Sequence, residues 1–256
     1  MIRVGVNGAA GRVGATVCRA VAADPDLELV AAVSPHHAGR TTDSGLTISG
    51  GLKAFADAGC DVVVDFTVAE AARITLPWLA VHGIHAVVGT SGLGDDDIAT
   101  LRRVFGEGPA HCLVAANFSI SAVLMMRFAE LAAPFFDTAE IIELHHDGKI
   151  DAPSGTAKAT AERIAAASVE WSPDPTQHVT VPGVRGGAHA HIHIHSVRMR
   201  GMVAHQEVIF GGPGQTLTIR QDSYDRENFM PGVLLACKRI AELPGVTFGL
   251  DALLAV

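Results

Sequence analysis

Strand and helix patterns alternate from residue 2 to residue 117, and a glycine-rich turn joins the first strand to the first helix. Strands then cluster without helices from residue 189 to residue 218. Together these features predict an α/β chain: a Rossmann-like parallel-sheet dinucleotide-binding domain, interrupted by an inserted α+β domain built on an open mixed sheet.

Ile2–Val6 is a short apolar strand, and the segment from Gly8 to Gly14 leads into a helix that runs to about Ala23. Asp24-Pro25-Asp26 marks a turn, Leu27–Val33 a second strand, and residues 34–51 are loop-rich. Val62–Phe66 reads as a buried strand, 69–82 as a helix, Ala86–Gly89 as a strand ending in a glycine loop, Asp95–Phe105 as a helix and Cys112–Ala116 as a further strand. The alternation breaks near Asn117. Residues 120–133 form an apolar helix in which Met125 and Met126 are core, Ala139–His145 a strand, and Thr156–Ala167 an alanine-rich helix. Residues 171–187 are rich in proline and glycine, and strands follow at His191–Met199, Gly201–Phe210 and Thr216–Ile219. Pro231 sits in the first turn of a helix over 231–242, which returns to the first domain. The expected domains are therefore 1–117 with 226–256, and 118–225.

The chain has 256 residues, 48% of them hydrophobic, enough for one or two cores. Its 19 Lys and Arg against 27 Asp and Glu give a net charge of −8, which leaves no electrostatic footprint for nucleic acid. An anionic ligand therefore needs positive groups gathered locally. The four cysteines lie far apart with no CxxC, which argues against a disulfide framework or a cysteine-rich metal site. There is no charged segment followed by a short apolar one at the N-terminus and no apolar run approaches a membrane span, so the expectation is a soluble cytoplasmic protein.

Gly8, Gly11 and Gly14 fall between a strand and a helix, the context in which a glycine loop holds a dinucleotide. The turn lets the backbone approach a pyrophosphate, and the helix N-terminus favours the anion. The spacing is GxxGxxG rather than GxGxxG. The second strand ends at Ser34, where a carboxylate would hold the ribose hydroxyls; none is present, while Arg40 lies nearby and, with Arg12, would add attraction for a phosphate. A 2′-phosphate therefore meets no repulsion, and the expected cofactor is NADPH and/or NADH. Gly89-Thr90-Ser91-Gly92 and Ala115-Ala116-Asn117-Phe118 follow strands at the same edge of the sheet.

Residues 143–156 concentrate His145, His146 and Lys149 just ahead of Pro153-Ser154-Gly155-Thr156, which opens a helix. His145 titrates near neutrality and suits a general acid or an electrostatic partner. Lys149 supplies a proton or a point charge. The Gly155 and Thr156 amides suit a carboxylate. The cluster fits a small substrate with more than one carboxylate.

This stretch, Glu143-Leu-His-His-Asp-Gly-Lys-Ile-Asp-Ala-Pro-Ser-Gly-Thr-Ala157, closely resembles the signature of the 4-hydroxy-tetrahydrodipicolinate reductase (dihydrodipicolinate reductase) family of lysine and diaminopimelate biosynthesis. Gly8–Gly14, Asp65-Phe66-Thr67, Gly89–Gly92, Ala116-Asn117-Phe118 and Asp222–Phe229 match in the same order. The resemblance implies a nicotinamide domain and an inserted substrate domain whose sheet builds a homotetramer. It implies His145 as catalytic acid/base, Lys149 as proton donor, and His146, Lys149, Gly155, Thr156 and Arg226 as substrate contacts. Gly8, Ala9, Ala10, Gly11, Arg12, Val13, Gly89, Thr90, Ser91, Ala115, Ala116, Asn117 and Phe118 would line the cofactor, with Ser34 standing where the family usually has an acid. Ser91 stands where threonine is common.

His189, His191, His193 and His195 alternate as if along one strand face, without an adjacent Asp, Glu or Cys to complete a metal site. They are expected to be a polar sheet face, exposed or at a subunit interface, with no metal; at an interface, their protonation would loosen assembly. Three other readings use parts of the pattern. Another amino-acid-pathway reductase would lack the His-His-x-x-Lys and Ser-Gly-Thr combination, a non-catalytic dinucleotide sensor would not need it, and a metal-binding protein would use the histidine strand.

Overall fold

The computed structural model describes residues 1–254 apart from 107 and 169; the last two residues of the expected first domain lie outside it. Contacts divide the chain into two compact units, Met1–Ile120 with the segment from Arg226 onward, and Ser121–Asp225.

The first unit runs β1 (Ile2–Asn7), α1 (Arg12–Ala23), β2 (Leu27–Val33), α2 (Lys53–Asp57), β3 (Val62–Asp65), α3 (Ala69–Val81), β4 (His85–Val88), α4 (Asp95–Gly106) and β5 (Cys112–Val114). Its strands form a six-stranded parallel sheet in the order β11-β5-β4-β3-β1-β2, where β11 is Val246–Phe248. Central strands covered on both faces carry continuous apolar runs. Val4, Val6, Val62–Val64 and Ala86–Val88 are accordingly all fully buried. In α1 the buried residues Gly14, Val17, Cys18 and Val21 follow the i, i+3, i+4, i+7 spacing of one helical face. Three aspartates, Asp95–Asp97, open α4 at the positive end of its dipole. Strand order reverses at β1, which has β2 on one side and β3 on the other, so the crevice for a ligand opens at the carboxyl end of β1.

The second unit is built by α5 (Ile120–Ala132, whose first residue belongs to the first unit), β6 (Thr138–His145), α6 (Gly155–Ala167), β7 (Gly187–His189), β8 (Ile192–Arg198), β9 (Ala204–Gly212) and β10 (Gln215–Ser223). Its sheet is mixed, in the order β10-β9-β6-β8-β7, with β6 and β8 parallel and the other pairs antiparallel. Burial alternates along β6: Ala139, Ile141 and Glu143 are buried, with more exposed residues between them. α6 covers β6 and β8 with Ala157, Thr160, Ala161 and Ile164. Met125 and Met126 are buried, as expected. The chain then returns to the first unit as α7 (Met230–Arg239), which packs on α1, β1, β3 and β4, then β11 and α8 (Asp251–Leu254).

Most strands and helices fall within a few residues of their expected ends. Among the described residues, four short strands and α-helices were not foreseen: α2, β7, β11 and α8. The histidine run differs more. β7 and β8 form a hairpin whose two-residue turn is Ala190-His191, with φ of 47° and 68°, the conformation of a type I′ turn. The turn takes His191 off the strand and puts His189 on the neighbouring one. His193 and His195 alone share a face, their rings 6.4 Å apart. Carboxylates distant in sequence reach both: Asp174 lies 3.3 Å from His193 Nε2, and Glu140 lies 2.6 Å from His195 Nε2. Arg185 pairs with Asp174 and Glu140, which fastens the Pro/Gly-rich segment to the sheet. Among the described residues no group of three or more His, Cys, Asp or Glu is arranged to hold a metal, and no helix is long and apolar enough to cross a membrane.

Cys18, Cys60, Cys112 and Cys237 are free and buried. Burial pushes the thiols of Cys18, Cys60 and Cys237 up to about 12, and that of Cys112 in the same direction. A thiol raised this far stays protonated and unreactive at ordinary pH. The folded protein is therefore expected to leave all four thiols unmodified by a disulfide reagent at about pH 8, with all four reacting in denaturant. Rapid reaction of a thiol in the folded state would contradict this packing.

Candidate active site

The glycine loop is shaped by close approach. Gly8 has φ +79°, and its own amide and that of Ala9 donate to Val33 O at 2.9 and 3.1 Å, which anchors the turn on the end of β2. A Cβ on Gly14 would lie 2.1 Å from Gly8 O, so α1 passes against the loop only because residue 14 has no side chain. Gly11 caps α1 without a side-chain bond, which leaves the first-turn amides from Arg12 onward directed at a ligand. A cleft of about 530 Å³ opens beside the loop, bounded by Asn7, Gly8, Gly11, Ser34, His36, Phe66 and Thr67 among others. These features fit a dinucleotide: a backbone cradle for the pyrophosphate and a largely apolar wall.

One carboxylate organises this half. Asp65, at the end of β3, is fully buried. It accepts from Asn7 Nδ2 (2.8 Å), Thr67 Oγ1 (2.7 Å) and Thr90 Oγ1 (2.6 Å), fastening the loops that leave β1, β3 and β4. Thr90 therefore spends its hydroxyl on the scaffold, whereas Ser91 beside it is exposed. Phe118 is buried against Phe66, with ring centroids 5.7 Å apart; Ala115 is buried, Ala116 is exposed and Asn117 is half-buried. Ser34 is buried with its hydroxyl 3.0 Å from His37 Nδ1. Among the described residues, none lining the cleft is an acid. Arg12 and Arg40 are exposed, and Arg40 stands beside Ala9 and Ala10 in a smaller hollow of about 160 Å³.

The other candidate residues lie, apart from Arg226, within the second unit. His145 ends β6 and is largely enclosed; Lys149 follows on the loop with both Asp151 oxygens at 2.7 and 2.8 Å from its Nζ. His146 is exposed beside Gly148. Ser154 caps α6, accepting from Ala157 N at 3.1 Å, and sets Gly155 and Thr156 in its first turn. The strand end, the loop and the helix start thus come together as the sequence suggests. Arg226 is placed in the first unit, exposed, opening a single turn of 3-10 helix.

Sequence reasoning missed the group at the centre. Glu143 has no exposed surface. Its Oε2 lies 2.5 Å from His145 Nδ1 and 2.8 Å from Arg198 Nη1; its Oε1 accepts from Arg198 Nη2 at 2.7 Å and from the Ser154 amide at 3.1 Å. Burial alone would raise this carboxyl, but Arg198, Ser196, His145 and Ser154 together hold it below the ordinary range. Burial pushes His145 below its ordinary value; the bond to Glu143 pulls it back in part, and Lys149 and Arg198 push it down. At neutral pH His145 is then a neutral imidazole with Nδ1–H on Glu143 and a lone pair on Nε2. The i, i+2 spacing of Glu143 and His145 on one strand face was a usable signal.

The dihydrodipicolinate reductase N-terminus family matches residues 2–118 and the dihydrodipicolinate reductase C-terminus family matches residues 121–254. The chain is 49% identical over 261 residues to a 4-hydroxy-tetrahydrodipicolinate reductase of Cutibacterium acnes, covering all of both chains. It is 49% identical over 262 residues to that of Thermobifida fusca, again over all of both. The solved structure of a dipicolinate-bound dihydrodipicolinate reductase from Paenisporosarcina sp. TG-14 is 35% identical, with a TM-score of 0.91 over 99% of this chain and 100% of that one. The buried Glu143 beneath His145, the Lys149 loop and the glycine cradle therefore stand in a chain that belongs to the dihydrodipicolinate reductase family.

Proposed function

We propose that the protein reduces 4-hydroxy-tetrahydrodipicolinate to tetrahydrodipicolinate with NAD(P)H, releasing water, in lysine and diaminopimelate biosynthesis. The observation that carries this reading is the joined cluster of His145, Lys149 and the capped start of α6 in a chain with full-length reductase relatives. The Paenisporosarcina relative is described with dipicolinate bound, a small dicarboxylate.

When bound, NAD(P)H supplies the hydride. The glycine loop from Gly8 to Val13 holds the pyrophosphate against the α1 amides. Gly89, Thr90 and Ser91, with Ala115 to Phe118, bring small residues and backbone to the same carboxyl edge of the sheet. The Gly155 and Thr156 amides at the start of α6 hold one substrate carboxylate, and His146 and Arg226 orient the rest. Lys149 carries three donors on a flexible stem and delivers the proton to the ring carbon next to the one reduced. His145 exchanges a proton at Nε2, because Nδ1–H is committed to Glu143. The Lys149 ammonium donates to both Asp151 oxygens, which places it on the loop beside His145.

Four copies assemble through the open mixed sheet of the second unit, in the cytoplasm. The assembly is supported by the edge strand β10, where Gln215–Thr218 are exposed on both faces with Leu217 among them.

A coupled assay tests the function, generating the unstable substrate from pyruvate and aspartate semialdehyde with the upstream synthase while nucleotide oxidation is followed. Lys149→Met and His145→Gln are expected to lower kcat by about 10²–10⁴-fold and to leave the melting temperature and nucleotide binding in place. Wild-type turnover in either variant would sink the assignment. Because no acid lines the cleft at Ser34, kcat/KM with NADPH is expected to equal or exceed that with NADH. A preference for NADH of more than about tenfold would overturn that reading of Ser34.

A further inference from the structure

We propose that Glu143 and Arg198 form a positioning pair for the reaction, which selects the nitrogen of His145 that exchanges protons and holds the Lys149 loop and the start of α6 in register with it. The proposal rests on the reductase reading above and gives roles to two residues that do not themselves reach the reacting atoms.

One carboxylate makes four bonds. Two are to Arg198, one is to the His145 ring and one is to the Ser154 amide. An ionised carboxylate only accepts, so its partner nitrogen on His145 must carry the proton, and Nε2 is the free one. Arg198 extends the frame: its Nη2 also donates to Asp151 O at 2.7 Å, two residues past Lys149. The strand end, the proton-donor loop and the helix cap are thereby all tied to a single ion pair.

The pairing is set by register. β6 and β8 run parallel with Glu143 opposite Ser196 and His145 opposite Arg198, so Arg198 meets Glu143 on the diagonal. Stability alone is a poor explanation, because well-packed apolar residues serve a buried position as well as an ion pair or better. An ion pair retained beneath His145 is explained by what it does to the imidazole.

The charged groups bearing on His145 are Glu143 on its own strand, Lys149 on the next loop and Arg198 on β8. β9 presents Ala204 opposite it, and α6 brings the uncharged Ser154. Of the three, Glu143 is the one that favours the protonated ring. Removing its charge therefore moves the His145 titration to lower pH, and any limb of the pH–rate profile owed to His145 moves with it.

The test uses the full chain, with His145 assigned by comparison with His145→Gln and titrated by NMR. In Glu143→Gln the titration is expected to move to lower pH. kcat is expected to fall by about 10- to 100-fold, at or below the low end of a general acid–base contribution, with nucleotide KM unchanged. Arg198→Lys keeps the charge but loses the fork; here the titration stays near wild type while substrate kcat/KM falls by about tenfold. Should Glu143→Gln not fold, Glu143→Gln with Arg198→Met removes both charges and is expected to bind nucleotide with kcat still reduced. The proposal is overturned if folded Glu143→Gln keeps wild-type kcat and titration, if the double variant turns over at the wild-type rate, or if both lose the fold and nucleotide binding. A wild-type protein without reductase activity would sink the functional reading instead, since the titration needs no substrate.

Discussion

The buried bond between Glu143 and Arg198 is the constraint around which the second unit's site is arranged. A carboxylate taken wholly out of water is tolerated only when its lone pairs are filled by donors. Here the donors come from three places in the chain: the guanidinium on β8, the ring two residues along β6 and the amide that opens α6. Each donor is part of, or directly joined to, something the chemistry uses. Breaking such a pair from one side leaves a buried charge and costs about 3–5 kcal/mol, so the geometry of this site is coupled to the integrity of the unit.

The first unit solves its own problem in a similar way. Asp65 is also wholly buried, and it collects Asn7, Thr67 and Thr90 from three loops at the carboxyl edge of the parallel sheet. The apolar strands beneath are interchangeable as packing, but the loops above them have to be held at a set height for a nucleotide to lie across them. In both units a single acid converts several flexible connections into a surface of fixed shape.

Much of this was legible in the sequence, for reasons that can be stated residue by residue. Val62–Val64 and Ala86–Val88 are uninterrupted apolar runs because both of their faces are covered, and such runs are easy to see. The glycine loop is visible because a φ of +79° at Gly8 and the tight contact at Gly14 exclude other residues. His145 and Lys149 stand out because charge and imidazole crowd a short span. What was hidden depends on distance along the chain. Arg198 lies 55 residues from Glu143, and only the parallel register of β6 and β8 brings them together. β11 has three residues, too few for a periodic signal. The turn at Ala190-His191 takes positive φ at two residues that are neither glycine nor asparagine, so nothing announced that the histidine run would fold back on itself.

The late strand β11 has a consequence for how the protein is made. It closes the outer edge of the first sheet beside β5, and the Gly245 amide reaches His111 Nδ1 across 134 positions of chain. During synthesis β5 therefore emerges long before its neighbour, with a whole independent unit still to come. Until β11 arrives, β5 has β4 on one side and no strand on the other. Among the described residues, the final stretch of chain is thus what completes the nucleotide-binding half, and a ribosome that stops short of residue 246 leaves β5 with a bare edge.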